Sequence, residues 1–141
     1  MSSFGNRLLE TFKAKGQLCV GIDPSVEQLT HWGLPSSASG AKSFASAILD
    51  GIGDQVGIVK PQVSFFEQFG PEGFKALTEV LNEAASRKLL IIADAKRGDI
   101  GSTMEGYAKA WLGEEAVFLC DALTVSPYLG PESLEQTVAT A

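Results

Sequence analysis

Leu89-Leu-Ile-Ile-Ala-Asp94-Ala-Lys96-Arg-Gly-Asp99-Ile100 is an almost wholly apolar run that ends abruptly in alternating carboxylate, ammonium and carboxylate. Successive side chains on a β-strand point to opposite faces, so Asp94 and Lys96 are expected side by side on one face. Gly98 then lets the backbone leave strand geometry and frees Asp99 to point elsewhere, including out of its own subunit. Charges at the mouth of a buried strand are costly unless paired. An isolated Asp-x-Lys also fits a structural ion pair beside a turn, and two further strands weigh against that plainer reading.

Leu18-Cys-Val-Gly-Ile-Asp23 is an apolar run ending in an acid and then Pro24, and Val56-Gly-Ile-Val-Lys60 ends in a base and then Pro61. Proline cannot donate to a sheet ladder, so each strand is expected to stop where its charge stands. Near-continuous apolar strands, each followed by an amphipathic segment, mark a parallel sheet buried on both faces. Aligned βα units bring the C-terminal strand ends together. Asp23, Lys60, Asp94 and Lys96 should therefore converge on one rim, the place where (β/α) barrels carry their chemistry.

The whole composition suits an α/β protein. Hydrophobic residues make up 45% of the 141, enough for a sizeable core, and the formal net charge of −6 argues against nucleic acid as a partner. Met1-Ser-Ser-Phe-Gly-Asn-Arg lacks the apolar core of a signal peptide, and no run approaches bilayer length, so a cytoplasmic location without membrane contact is expected. Cys19 and Cys120 have no CxxC spacing and read as small core residues rather than a disulfide or a catalytic pair.

The coarse order is βα repeated. Arg7 to Lys15 reads as an opening helix, and the loop after strand one holds His31-Trp32-Gly33-Leu34-Pro35 and the serine-rich 36–39. A helix over Ala41 to Gly51 should bury Phe44, Ala47 and Ile48, and Gly70-Pro71 should open another that buries Phe74, Leu77, Val80, Leu81 and Ala84. Ser102-Thr-Met-Glu105 has the capping-box pattern for a third helix with Tyr107, Ala108 and Trp111 turned inward. Asp121 to Ser126 reads as strand four, closed by Pro127, and a helix begins near Glu132. A complete eight-stranded barrel needs about 250 residues. The expected architecture is therefore the first four βα units of a (β/α)8 TIM barrel, with residues 1–141 as the N-terminal half of a single, truncated domain.

Asp94-Ala-Lys96-Arg-Gly-Asp99-Ile100-Gly-Ser-Thr103, together with Gly21-Ile-Asp23-Pro-Ser and Val59-Lys60-Pro-Gln-Val-Ser-Phe-Phe-Glu67, resembles orotidine 5′-phosphate decarboxylase. The Lys-Pro-Gln-x-x-Phe-Phe-Glu stretch and Thr124-Val-Ser-Pro-Tyr-Leu-Gly130 resemble the bacterial branch with longer chains. The resemblance implies cofactor-free removal of carbon dioxide from orotidine monophosphate to give uridine monophosphate in pyrimidine synthesis. The reaction places a carbanion at pyrimidine C6 that no attached electron sink absorbs. A preorganised cation in a water-poor site stabilises such charge far better than solvent does. By the resemblance, Lys96 is that cation and the proton donor to C6, with Asp94 and Asp99 around it and Asp99 donated across a homodimer interface. Lys60 would complete the alternating network and reach a ribose hydroxyl, Asp23 would accept from ribose hydroxyls, and Thr103 would touch the ribose from the neighbouring subunit. A carboxylate about 4 Å from the substrate carboxylate, at an effective dielectric of about 20, costs roughly 4 kcal/mol, repulsion that loss of carbon dioxide would relieve.

The resemblance also implies that phosphate and pyrimidine-edge contacts come from later barrel strands. Since remote contacts supply binding energy used at the reacting carbon, the 141-residue chain alone is expected to turn over negligibly. Two other readings compete. Magnesium-dependent sugar-phosphate enzymes of the same barrel type, such as hexulose-phosphate synthase, share the strand-three motif, but carry an acid where Lys60 stands, and an ammonium there would repel the metal. A non-catalytic module, in which the charged rim only aids solubility, would bind no nucleotide saturably. His31 has no nucleophile or acid at telling spacing and reads as a surface or packing residue. There is no zinc-ligand cluster and no glycine-rich phosphate loop. Phe65, Phe66 and Phe69 read as core before pocket lining, and Ser126 as the polar end of a strand.

Overall fold

The computed structural model describes residues 3–113 and 115–141. Its four strands, β1 (Cys19–Ile22), β2 (Ile58–Pro61), β3 (Leu90–Arg97) and β4 (Ala122–Val125), form one parallel sheet in sequential order. The helices are α1 (Phe4–Lys15), α2 (Val26–His31), α3 (Ala38–Ile52), α4 (Ser64–Glu67), α5 (Gly70–Ser86), α6 (Gly101–Trp111) and α7 (Glu135–Thr140), and a 3₁₀ turn at Pro131–Leu134 precedes α7. The expected βα order is present, and it belongs to the barrel class.

Pairing register assigns each strand residue to a face, because partners in a parallel ladder share one. Cys19 pairs with Ile58, Gly21 with Lys60, Ile58 with Leu90 and Ile92 with Ala122, and Gln62 bridges to Asp94. The alternate residues Ile22, Val59, Ile91 and Ala93 lie on the other face. They make the core with Ala41, Ala45 and Leu49 of α3, Phe66 of α4, Leu77, Val80 and Leu81 of α5, and Trp111 of α6. Most of these side chains are fully buried, and burying each large one contributes about 1.5–3 kcal/mol. Helices thus cover one face of the sheet, while the other carries the charged residues at its C-terminal end.

Several local expectations change. The buried stripe of α3 is Ala41, Phe44, Ala45 and Leu49, while Ala47 is exposed and Ile48 half-buried. The helix starts earlier than Ala41, with Ser37 capping it by accepting from the Gly40 amide. The loop before it contains α2, whose Ser25 hydroxyl accepts from the Gln28 amide; the Ser-x-x-Gln spacing is a capping-box signal. By contrast, the Ser102 to Glu105 box does not form. Helix α6 begins at Gly101, so Ser102 already lies inside it, and the cap position falls on Ile100, which makes no side-chain cap. Trp111 and Ala108 are buried there, and Tyr107 is half-buried beneath Arg97.

Cys19 is exposed rather than core. It sits on the edge strand β1 and alternates onto the face that the helices leave uncovered. Cys120 is half-buried, its thiol donating to the Trp111 carbonyl, and burial together with Asp121 pushes its pKa up to about 12. Both thiols are free, in keeping with the sequence. His31 is exposed at the end of α2, while Trp32 packs its ring 4.7 Å from that of Phe44.

The ends of β3 and β4 run very close. A Cβ on Gly98 would stand 2.5 Å from the Ser126 carbonyl oxygen and 3.1 Å from its Cβ. The neighbour is backbone, held by the Ser126 amide donating to the Arg97 carbonyl at 2.7 Å, so it cannot swing aside. Gly98→Ala is expected to lower stability by about 1–3 kcal/mol, as overpacking does, measured by denaturant unfolding. A loss below about 0.5 kcal/mol would show that the crossing is soft.

Candidate active site

Three strand ends meet at the rim. Lys60 stands at the end of β2, while Asp94 and Lys96 follow each other on β3, and Asp94 is 9% exposed. The Lys60 ammonium donates to Asp94 Oδ2 at 2.8 Å, and the Lys96 ammonium donates to Asp94 Oδ1 at 2.6 Å. Thr124 of β4 donates its hydroxyl proton to Oδ1 at 2.8 Å. The Gln62 side-chain amide is best satisfied with nitrogen facing Asp94 Oδ2 at 2.5 Å and oxygen facing Lys96 Nζ at 3.2 Å. Each carboxylate oxygen therefore accepts two hydrogen bonds, which fills the usual capacity of an ionised carboxylate.

That saturation decides the charge state of Asp94. Burial by itself raises the pKa of this carboxyl, but hydrogen bonds from Lys60, Lys96 and Thr124 and the nearby Lys60 charge outweigh it and bring it down from 3.8 to about 2. Asp94 is an anion at neutral pH, held between two cations. The Lys96 side chain is 61% exposed and that of Lys60 32%, so the ammonium of Lys96 faces the open rim.

Asp94 and Lys96 do share a face, though by a different route from simple strand alternation. Ala93 pairs with Leu123, but the next pairing is Arg97 with Val125, so three residues of β3 lie opposite the single residue Thr124. Lys96 sits in this bulge with a left-handed backbone, φ 51°. A non-glycine residue there costs on the order of 1–2 kcal/mol, and bulges re-aim side chains beside functional sites. The bulge turns the ammonium back onto Asp94. Next to it, Arg97 anchors the strand end by pairing with Glu67 of α4 at 2.5 Å, donating to the Ala95 carbonyl, and lying 5.4 Å from the Tyr107 ring and 5.8 Å from that of Trp111.

Asp23 lies just beyond β1, half-buried, with its carboxylate folded over Gly21, where any Cβ would meet Oδ2 at 2.5 Å. Gly21 is the register partner of Lys60, so Asp23 belongs to the same rim, although it makes no ion pair within 4 Å among the described residues. Asp99 does not join the cluster. Its carboxylate accepts from the Ile100 amide at 2.8 Å, and Thr103 is exposed on the first turn of α6. Phe66 is fully buried in the core and Phe69 half-buried against it, while Phe65 is half-buried and lies outside that cluster. Ser126 is half-buried and engaged through its backbone.

Gln62 and Thr124 were not singled out as site residues from sequence. Their signal is positional: Gln62 lies two residues after Lys60, and Thr124 alternates with Ala122 on the inner face. A cavity of about 520 Å³ lies elsewhere, between α1 and the N-terminal strand ends, lined by Arg7, Lys15, Lys88, Leu90 and Asp121 among others. It contains none of the convergent charges, so the rim is the candidate site.

Comparison with known proteins identifies the family. The curated orotidine 5′-phosphate decarboxylase of Corynebacterium glutamicum is 50% identical over 133 residues, 94% of this chain and 48% of its own. That of Streptomyces coelicolor is 45% identical over all of this chain and 51% of its own. Among solved structures, a Streptomyces avermitilis protein described as an orotidine 5′-phosphate decarboxylase superposes with TM-score 0.96 at 44% identity, covering 100% of this chain and 50% of that one. The Leishmania donovani OMP decarboxylase gives TM-score 0.80 at 32% identity over 98% of this chain and 50% of its own. The chain thus spans about half the length of the curated relatives it matches. A profile of the orotidine 5′-phosphate decarboxylase / HUMPS family matches residues 16–141, and the chain belongs to that family.

Proposed function

We propose that the protein decarboxylates orotidine 5′-monophosphate to uridine 5′-monophosphate without a cofactor, with residues 1–141 as the N-terminal half of its barrel domain. The observation that carries this reading is the alternating Lys60–Asp94–Lys96 array at the C-terminal rim of a parallel sheet. Lys96 presents an ammonium to the open rim beside a fully hydrogen-bonded carboxylate, the arrangement needed to stabilise negative charge developing at pyrimidine C6 and then to protonate that carbon. Fixed charges cost no reorganisation at the moment of reaction. Asp94 holds Lys96 in place and stands near the departing carboxylate. Lys60 and Asp23, both at the rim, suit the ribose hydroxyls as donor and acceptor.

The Asp99 carboxylate is engaged by the Ile100 amide and Thr103 is exposed, which suits residues contributed to a partner's site in a homodimer. No helix among the described residues is long and apolar enough to cross a membrane, and a cytoplasmic dimer accords with a small soluble substrate. The magnesium-dependent alternative needs several hard oxygen ligands, whereas both oxygens of Asp94 are already engaged by Lys60, Lys96, Thr124 and Gln62.

Protein expressed from the complete coding sequence is expected to convert orotidine monophosphate to uridine monophosphate and carbon dioxide, at a rate unchanged by a chelator. Loss of turnover on chelation would favour the metal-dependent reading. Absence of any turnover would end the proposal.

A further inference from the structure

We propose that Thr124 is a positioning residue that sets the geometry of Lys96 by holding its backbone and its carboxylate partner with one hydroxyl. This inference rests on the decarboxylase reading of the rim and adds to it a part for β4, which carries none of the charges.

In the bulge of β3, Lys96 is lifted out of the regular ladder, so its amide has no strand carbonyl opposite it. That amide donates instead to Thr124 Oγ1 at 3.0 Å, while the same hydroxyl donates to Asp94 Oδ1 at 2.8 Å. Asp94 Oδ1 is also the oxygen that receives the Lys96 ammonium, at 2.6 Å. The three groups therefore close a ring: amide to hydroxyl, hydroxyl to carboxylate, and carboxylate to the ammonium of the residue whose amide began it. A left-handed backbone at a non-glycine residue persists only where its surroundings over-determine it. Here the surroundings consist of the Arg97 anchor on one side and Thr124 on the other.

The chemistry demands a hydroxyl. The group must accept from an N–H and donate to a carboxylate at the same atom, which serine and threonine can do and valine cannot. Valine would keep the shape and β-branching of the strand residue but leave the Lys96 amide without its acceptor and Asp94 with one hydrogen bond fewer. A displacement of about 1 Å in a reacting group can cost about 10²-fold in rate.

The test uses Thr124→Val and Thr124→Ser in protein expressed from the complete coding sequence. For Thr124→Val, kcat is expected to fall about 10–100-fold, with KM for orotidine monophosphate changed less than about threefold and the acid limb of the kcat profile moved to higher pH. Thr124→Ser should recover kcat to within about threefold of wild type. Hydrogen exchange at the Lys96 amide, which reports the bond independently of turnover, should quicken at least about tenfold in Thr124→Val and return in Thr124→Ser. Should Thr124→Val not fold, Thr124→Ala against Thr124→Ser makes the same comparison, the two differing only in the hydroxyl. Equal kcat in the variants with and without the hydroxyl, or an unchanged Lys96 amide, would overturn the role of Thr124 while leaving an active wild type to support the decarboxylase. An inactive wild type would overturn both.

Discussion

Lys96→Ala is expected to abolish decarboxylation, lowering kcat by at least about 10⁴-fold, because the substitution removes both the cation beside the developing carbanion and the proton that quenches it. General acid catalysis alone contributes about 10²–10⁴-fold and one well-placed electrostatic donor about 10²–10³-fold. The protein should still fold. The Lys96 side chain is 61% exposed and contributes little to the core, and its left-handed φ of 51° is a position at which the native residue is itself strained. Lys96→Gly sharpens the experiment, since glycine adopts that φ freely. The glycine variant is expected to be at least as stable as Lys96→Ala in denaturant unfolding and still be inactive. Retention of more than about 1% of wild-type turnover in either variant would show that the ammonium is not the catalytic cation.

Asp94→Asn should damage both turnover and stability at neutral pH. The folded pKa of Asp94, about 2, lies below its ordinary 3.8. Its ionisation therefore stabilises the fold fully above about pH 4, and that stabilisation is lost as the pH falls from about 4 through 2. The size of the shift corresponds to about 2 kcal/mol. Comparing unfolding free energies of wild type and Asp94→Asn at several pH values isolates this contribution. The gap is expected to be widest at neutral pH and to shrink as the acid range is entered, leaving only the difference due to the amide. The same substitution leaves Lys60 and Lys96 without the carboxylate that holds them, and kcat is expected to fall by about 10³-fold, the scale of a lost preorganised electrostatic group. A variant as stable as wild type at neutral pH would contradict the hydrogen-bonded anion, and one with wild-type turnover would remove Asp94 from the mechanism.

Much of this site is legible in one dimension because apolar strands ending in charge leave few alternatives. Leu18 to Asp23, Val56 to Lys60 and Leu89 to Asp94 are each apolar runs that end in a charge, and parallel pairing then brings Asp23, Lys60 and Asp94 to one rim. Elements of low apolar contrast were harder to read. Helix α2 is one and a half turns long, and the start of α3 was hidden in a serine-rich stretch that looked like loop. The Ser102 capping box failed because a cap signal states only that a helix can begin there, and an earlier start at Gly101 took precedence.

From the chain of residues alone came the βα order, the parallel sheet and the convergence of Lys60, Asp94 and Lys96, all consequences of hydrophobic periodicity and of the cost of burying unpaired charge. Tertiary structure decided what periodicity cannot encode. Register between β3 and β4 slips, and the slip makes a bulge that puts Lys96 in a left-handed backbone. Cross-strand neighbours then bring Gln62 and Thr124 onto the Asp94 carboxylate. Pairing register depends on contacts between residues some 30 positions apart, such as Thr124 with Asp94, and local sequence carries no direct record of it.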